Sequence, residues 1–298
     1  MDQRKAVLIS NPNAGRGGSH RAAEIERFCD LLKAGHLQVE LMNTEAAGNA
    51  TRLAAEATAN GATDIIVSGG DGTINEALQG LVGTNTRLAI WPRGTANVLA
   101  SDLKLPIKLE LVAEAIVRNK TRRIHIGCAI DEAGGVKRYF LLMAGIGIDA
   151  TVARTVRTSL KRRIGKGAFW YAGIGFLLRW NPASFTMEVA GERFTVTFAC
   201  IANAASYGGG LVLTPLAQID KPEFEILLID SYSRLRYLHL LSLVMRGRVG
   251  PGTAGARYLH ATQARAMGDA LVQVDGEIIG TTPMSFEIAP ETIDVIVA

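Results

Sequence analysis

Three loops of small and polar residues, each directly after a short apolar run, carry the side chains best suited to phosphate chemistry. The stretch IIVSGGDGTINEAL, residues 65 to 78, sets Gly69, Gly70 and Gly72 around Asp71. Glycines clear side chains from a turn so that backbone N–H groups reach an anion. A helix starting near Ile74, with Asn75 and Glu76 in its first turn, adds its positive dipole end. A bare carboxylate in such a cradle repels phosphate. Asp71 becomes useful where Mg2+ bridges it to a nucleotide, because Mg2+ is commonly held by one or two carboxylates with phosphate oxygens and water. A Gly-Asp-Gly turn without any ligand is the plain alternative. The first loop, SNPNAGRGG from Ser10, offers Asn11, Gly15 and the cation Arg16; the third, WPRGTANVLASDL from Trp91, offers Gly94, Thr95 and Asn97. One such loop means little, but three on successive strand ends are hard to attribute to accident. Neither a glycine-lysine P-loop nor a GxGxxG turn after the first strand is present, which excludes the two simplest nucleotide fingerprints.

The elements that must position these loops alternate. KAVLIS, LQVELMN, TDIIVSGG and RLAIWP read as strands. HRAAEIERFCDLLKAG, NATRLAAEATANG, INEALQGLVG and LELVAEAIVRNK read as helices between or after them. A β-α-β-α rhythm implies a parallel sheet covered by helices, with ligands at the carboxyl ends of the strands. After about residue 122 the pattern turns β-rich: FTMEVAGERFTVTFACIAN, EFEILLID, ALVQVDGEIIG and MSFEIAP alternate as strands do. Helical segments interrupt it near residues 150 to 179 and 233 to 247. The expected organisation is an α/β N-terminal nucleotide-binding domain over residues 1–123 and a β-rich sandwich over 124–298, whose last strand could return to the first domain.

Composition sets outer limits. The 298 residues match the length of two domains at roughly 150 residues each. A 20% charged and 48% hydrophobic chain is globular. A net charge of +4 does not by itself call for nucleic acid, and no nucleic-acid partner is expected. Cys29, Cys128 and Cys200 form neither a disulfide framework nor a metal spacing, which suits a reducing cytoplasm. The short apolar run before Asn11 lacks the core of a signal peptide. No apolar run of about 20 residues occurs, so membrane contact should be peripheral.

NPNAGRG, GGDGTINEAL and PRGTANVLA, in this order, resemble the diacylglycerol kinase catalytic domain family, which includes bacterial lipid kinases and sphingosine kinases. AGIGIDATV at 144–152, ANAASYGGGLVLTPLAQID at 202–220 and VDGE at 274–277 extend the resemblance over nearly the whole chain. It implies ATP-dependent phosphoryl transfer to a lipid hydroxyl such as that of diacylglycerol, with nucleotide between the domains and lipid on the β-rich one. Asn11, Thr44, the run Gly70, Asp71, Gly72, Thr73, Ile74, Asn75 and Glu76, and Thr95 would contact the nucleotide, with Mg2+ at Asp71. Asp275 and Glu277 stand where the family has its acid pair, and Glu277 is favoured as base. An alcohol needs a carboxylate within reach of its proton, which agrees with that role. Read locally, however, Asp-Gly between β-like runs is foremost a hairpin turn.

Two positions depart from the family pattern. His125 stands in RRIHIG where an acid is usual, and an imidazole supplies no negative charge to a metal network. Lys221 and Pro222 replace the acid and glycine of a structural magnesium loop, whose place is marked by Gln218, Lys221 and Glu223. The segment from Arg154 to Trp180 puts six basic residues ahead of Phe169, Trp170, Tyr171 and further apolar residues, a composition suited to an anionic bilayer. A core helix with a solvated entry is the alternative. The rival functions are an NAD kinase-like enzyme on a soluble acceptor and a nucleotide- or lipid-binding regulator without transfer. The identity of the lipid and homodimerisation through the β-rich domain stay open.

Overall fold

The computed structural model describes residues 4–15, 20–147, 183–207 and 211–298. The predicted helix near 150 to 179, and with it the basic-aromatic segment, lies outside these residues. The chain divides into two compact units, Met1–Ile124 with Pro290–Ala298, and His125–Ala289.

In the first unit, β1 (Lys5–Ser10), β2 (Gln38–Asn43), β3 (Asp64–Gly69) and β4 (Arg87–Pro92) form a parallel sheet in the order β2-β1-β3-β4. β3 is buried from end to end and β1 after its first residue, as a sheet covered on both faces requires. Edge strand β2 exposes most of its residues. Helices α1 (Arg21–Ala34) and α5 (Leu109–Arg118) pack together against one face through Phe28, Leu32, Val112 and Ile116, which meet Leu8, Ile66 and Trp91. Phe28 stacks on Trp91 with ring centroids 4.2 Å apart. Helices α2 (Asn49–Ala59) and α3 (Asp71–Leu81) pack against each other and against β3. Asp64, fully buried at the start of β3, is held by Arg87 at 2.7 Å and Arg4 at 3.1 Å, so its charge is paired where water cannot reach it.

A fifth parallel strand comes from the far end of the chain. The predicted MSFEIAP strand runs on as one strand of 14 residues, β18 (Met284–Val297), in which Val295 pairs with Leu88 of β4. Its first half belongs to the second unit, as does the second half of the long strand β5 (Lys120–Asp131).

The second unit is an antiparallel β-sandwich. One sheet runs β14 (Arg257–Ala261), β13 (Phe224–Ile229), β10 (Phe198–Ala202), β7 (Met143–Gly147), β16 (Leu271–Val274), β17 (Glu277–Thr281). The other pairs the first half of β18 with β15 (Gln263–Met267), then β8 (Phe185–Val189) and β9 (Glu192–Val196). β5 pairs with β6 (Lys137–Phe140) as a hairpin, and β11 (Ser206–Tyr207) pairs with β12 (Leu211–Val212) as a separate short ribbon. Phe140, Phe224, Phe286, Met187 and Val272 fill the space between the sheets. The predicted helix near 233–247 is α6 (Arg234–Met245), which lays Tyr237 and Leu240 on Phe198, Leu227 and Ile229.

Candidate active site

β1, β3 and β4 point the same way, so the three glycine-containing loops emerge at one edge of the sheet. The chain passes from β1 to β2 on one side and then returns to β3 on the other. The first and second loops therefore flank the point where strand order reverses, the usual ligand crevice of such sheets.

Contacts between the loops are close. Asn11 Nδ2 donates to Thr73 Oγ1 at 3.0 Å, joining the first loop to the second. Gly70 and Gly94 bring the second and third loops together backbone to backbone: a Cβ on Gly94 would stand 2.5 Å from the Gly70 Cα. Gly15, at φ +77°, passes just as closely over the Arg93 carbonyl. Asp71 crosses to the third loop, where its Oδ1 accepts the Leu99 N–H at 3.3 Å. Leu99 lies in the first turn of the short helix α4 (Val98–Asp102), so the carboxylate meets unpaired helical N–H groups. Burial pushes the Asp71 carboxyl above its ordinary range, opposed by the N–H groups of Leu99, Val98 and Asn97. The carboxylate inside the glycine turn is thus explained first by the protein itself: it ties loop to loop.

The remaining positions of the run Gly70–Glu76 divide. Ile74 and Asn75 are buried in the helix, and Gln79 Nε2 donates to the Asn75 carbonyl at 3.0 Å. Glu76 turns toward α2, where its Oε2 accepts the Ala50 N–H at 3.3 Å. Thr44 is buried at the end of β2, its N–H on the Ser10 carbonyl at 2.9 Å. Thr95 is exposed on the third loop. Gly72 differs from its neighbours: its φ is not positive, and a Cβ there would meet nothing within 4 Å. Neither backbone conformation nor packing asks for glycine at this place in the first turn of α3.

Two cations escaped the sequence reading. The Arg21 guanidinium donates to the carbonyls of Asn11, Pro12 and Ala14 and so shapes the first loop. Arg93 pairs with Glu24 at 2.6 Å and lies over Trp91. Burial and the nearby Arg93 charge both lower the Arg21 pKa. No short motif marks them, because α1 and the third loop meet only in the fold. The Asn97 amide accepts the Gly94 N–H at 2.8 Å and donates to the Gly94 carbonyl at 3.0 Å, which closes the third loop.

In the second unit, Asp275 and Gly276 form the two-residue turn between β16 and β17, with φ +47° and +83°, as the hairpin reading of VDGE requires. The Asp275 carboxylate accepts N–H groups from Leu141, Leu142 and Met143 at 2.8, 2.9 and 3.0 Å. Glu277, first residue of β17, pairs with Arg138 at 2.5 Å. Both line a cavity of about 280 Å³ together with Asp131 and the apolar Ala129, Val136, Ile279 and Met284.

The loop proposed by resemblance for a second magnesium has other ties. Gln218 accepts the Lys221 N–H at 2.9 Å, and Glu223 stands 3.8 Å from His260. Buried Glu225 binds the same loop, accepting N–H groups from Leu216 at 2.7 Å and Ala217 at 2.8 Å. His125 joins through its backbone, donating to the Ile219 carbonyl at 2.8 Å. Among the described residues, no group of three or more His, Cys, Asp or Glu is placed to hold a metal. No helix of the described residues is long and apolar enough to cross a membrane.

Fold and site together define an α/β unit with phosphate-suited loops at its switch point, joined to an antiparallel sandwich with a carboxylate-lined cavity. A model of the diacylglycerol kinase catalytic domain matches residues 5–129, and one of the YegS C-terminal NAD kinase beta sandwich-like domain matches residues 143–297. A diacylglycerol kinase of Mycobacterium tuberculosis is 31% identical over 247 residues, 82% of this chain and 79% of that protein. One from Bacillus subtilis is 28% identical, covering 82% and 80%. The crystal structure of a diacylglycerol kinase from Bacillus anthracis shares the fold at TM-score 0.76 and 20% identity, over 100% of this chain and 98% of that one. The chain belongs to the diacylglycerol kinase family of lipid kinases.

Proposed function

We propose that the protein transfers the γ-phosphate of ATP to the hydroxyl of a lipid such as diacylglycerol. The observation that carries the nucleotide half is Gly72, a glycine required by neither angle nor neighbour, in the first turn of a helix whose N–H groups open at the switch-point loops. A phosphate approaching the backbone there accounts for the missing side chain. Mg2+ enters as part of the ATP substrate, bound through phosphate oxygens and water. Asn11, Thr73 and Asp71 keep the three loops in register, and Arg21 and Arg93 add positive charge beside them.

The acceptor half rests on Glu277. In the transfer, the lipid hydroxyl oxygen bonds to the γ-phosphorus, the bond to the β–γ bridging oxygen breaks, and ADP leaves. The hydroxyl proton passes to the Glu277 carboxylate. Arg138 orients that carboxylate, and the apolar part of the cavity receives the lipid beside its hydroxyl. Three N–H groups already occupy Asp275, which suits it to positioning the turn that presents Glu277.

The test is transfer of labelled γ-phosphate from Mg-ATP to a mixed bacterial lipid extract, with Glu277→Gln as control. A labelled lipid lost in the variant supports the reaction and its base. Full activity of the variant removes Glu277 from the chemistry. Label that accumulates only on a soluble nucleotide acceptor replaces the lipid reading with the NAD kinase-like one.

A further inference from the structure

Helix α6 breaks the rule that a surface helix turns its apolar side inward. Its inner side buries Tyr237, Leu240 and Val244. Its outer side carries a sparse apolar stripe, Leu235 and Met245 with Ser242 between them, while Leu238 packs against the core. Leu235 is 77% exposed and Met245 58%, and Tyr232, just ahead of the helix, is also 58% exposed. A single exposed leucine needs no explanation, whereas Tyr232, Leu235 and Met245 exposed along one helix and its lead-in mark a contact surface.

The charges around the stripe are one-sided. From Ser231 to Gly268 the chain has six arginines and no aspartate or glutamate. Arg257 lies over Phe194 and Arg265 pairs with Glu132, and Arg234, Arg236, Arg246 and Arg248 stand around the two ends of α6. All four are exposed, and the acid adjoining them in sequence is the exposed Asp230. Arg234 and Arg236 sit in the first turn, where the helix dipole disfavours cations, so helix stability does not account for them.

We propose that the outer side of α6, from Tyr232 to Arg248, docks on an anionic bilayer surface. The stripe enters the boundary between headgroups and acyl chains, and the arginines meet lipid phosphates. A second copy of the chain fits this face poorly, since a two-fold contact would set the same arginines against each other. The inference deepens the lipid-kinase reading, because it says how the enzyme reaches a substrate that stays in a membrane.

The experiment is sedimentation with vesicles of equal parts phosphatidylglycerol and phosphatidylcholine, against vesicles of phosphatidylcholine alone. The wild type should bind the anionic vesicles and come off as salt rises. Arg246→Gln with Arg248→Gln should weaken binding by roughly thirtyfold, and Leu235→Gln with Met245→Gln by about tenfold, with unchanged circular dichroism and melting. Since these side chains point into solvent, the two pairs provide independent checks against misfolding. Wild-type binding by both double variants overturns the proposal, as does a wild type with no preference for anionic vesicles. A dimer that Leu235→Gln with Met245→Gln converts to monomer also overturns it, by assigning the face to a second copy. Transfer to lipid in nonionic micelles separates this proposal from the kinase reading. The Leu235/Met245 variant should keep that activity and lose it on vesicles. Absence of transfer even by wild type counts against the kinase reading, while vesicle binding still judges the surface.

Discussion

At the scale of residues, three carboxylates carry different burdens. Asp71 is held in a place where burial raises its pKa above the unfolded value. Folding therefore favours its protonated form: the penalty for ionising it is absent below the unfolded pKa, grows as pH rises from there to the folded pKa, and is complete above it. Asp71→Asn should gain stability over wild type at pH 7, with the gain shrinking toward pH 4 in denaturant titrations, while turnover falls. An equal stability difference at both pH values would show that desolvation is not what Asp71 opposes. Asp275 and Glu277 separate in another way. Asp275→Asn leaves at least one of three backbone N–H groups without an acceptor, which costs about 1–3 kcal/mol and should lower the melting temperature along with turnover. Glu277→Gln should melt near wild type and abolish transfer, since its side chain is 37% exposed.

At the scale of elements, the glycines of the three loops do different work. A methyl on Gly94 would run into the Gly70 backbone, so Gly94→Ala must push the second and third loops apart. It should cost about 1–3 kcal/mol in unfolding experiments and weaken ATP binding as a consequence. Gly72→Ala meets open space and improves helix propensity, so it should raise stability by about 0.5 kcal/mol. Calorimetric titration should nevertheless show weaker ATP binding, because the methyl takes the place of the phosphate. Unchanged ATP affinity in Gly72→Ala would take away the main support for a phosphate at the start of α3.

At the scale of the whole molecule, the two units share the chain's far end. Ile293, Val295 and Ile296 are buried in the first unit, and Ile296 joins the core of Phe28 and Trp91. Ile296→Ala, two residues from the chain's last residue, should destabilise the first unit by about 2–5 kcal/mol. Hydrogen exchange should show the loss of protection concentrated in residues 5–118 rather than within the sandwich. Uniform loss in both units would instead mean that they unfold as one.

Alternating short strands and helices up to residue 122, and period-two alternation after it, made both layers readable from local periodicity. The three loops were legible for a related reason: glycine and polar residues directly after strands mark the carboxyl edge of a parallel sheet. The hairpin at Asp275 and Gly276 was likewise written in a dipeptide whose backbone angles few others adopt. Contacts between distant segments were not legible. The Asp71 carboxylate meets the helix after the third loop, Arg21 holds three carbonyls of the first, and residues 290–298 complete a sheet begun at Lys5. Sequence alone determined which side chains could do chemistry, because residue type and period are local properties. Only the tertiary structure decided which carboxylates are tied to backbone N–H groups and which face a cavity, because partners so far apart in the chain are brought together by packing.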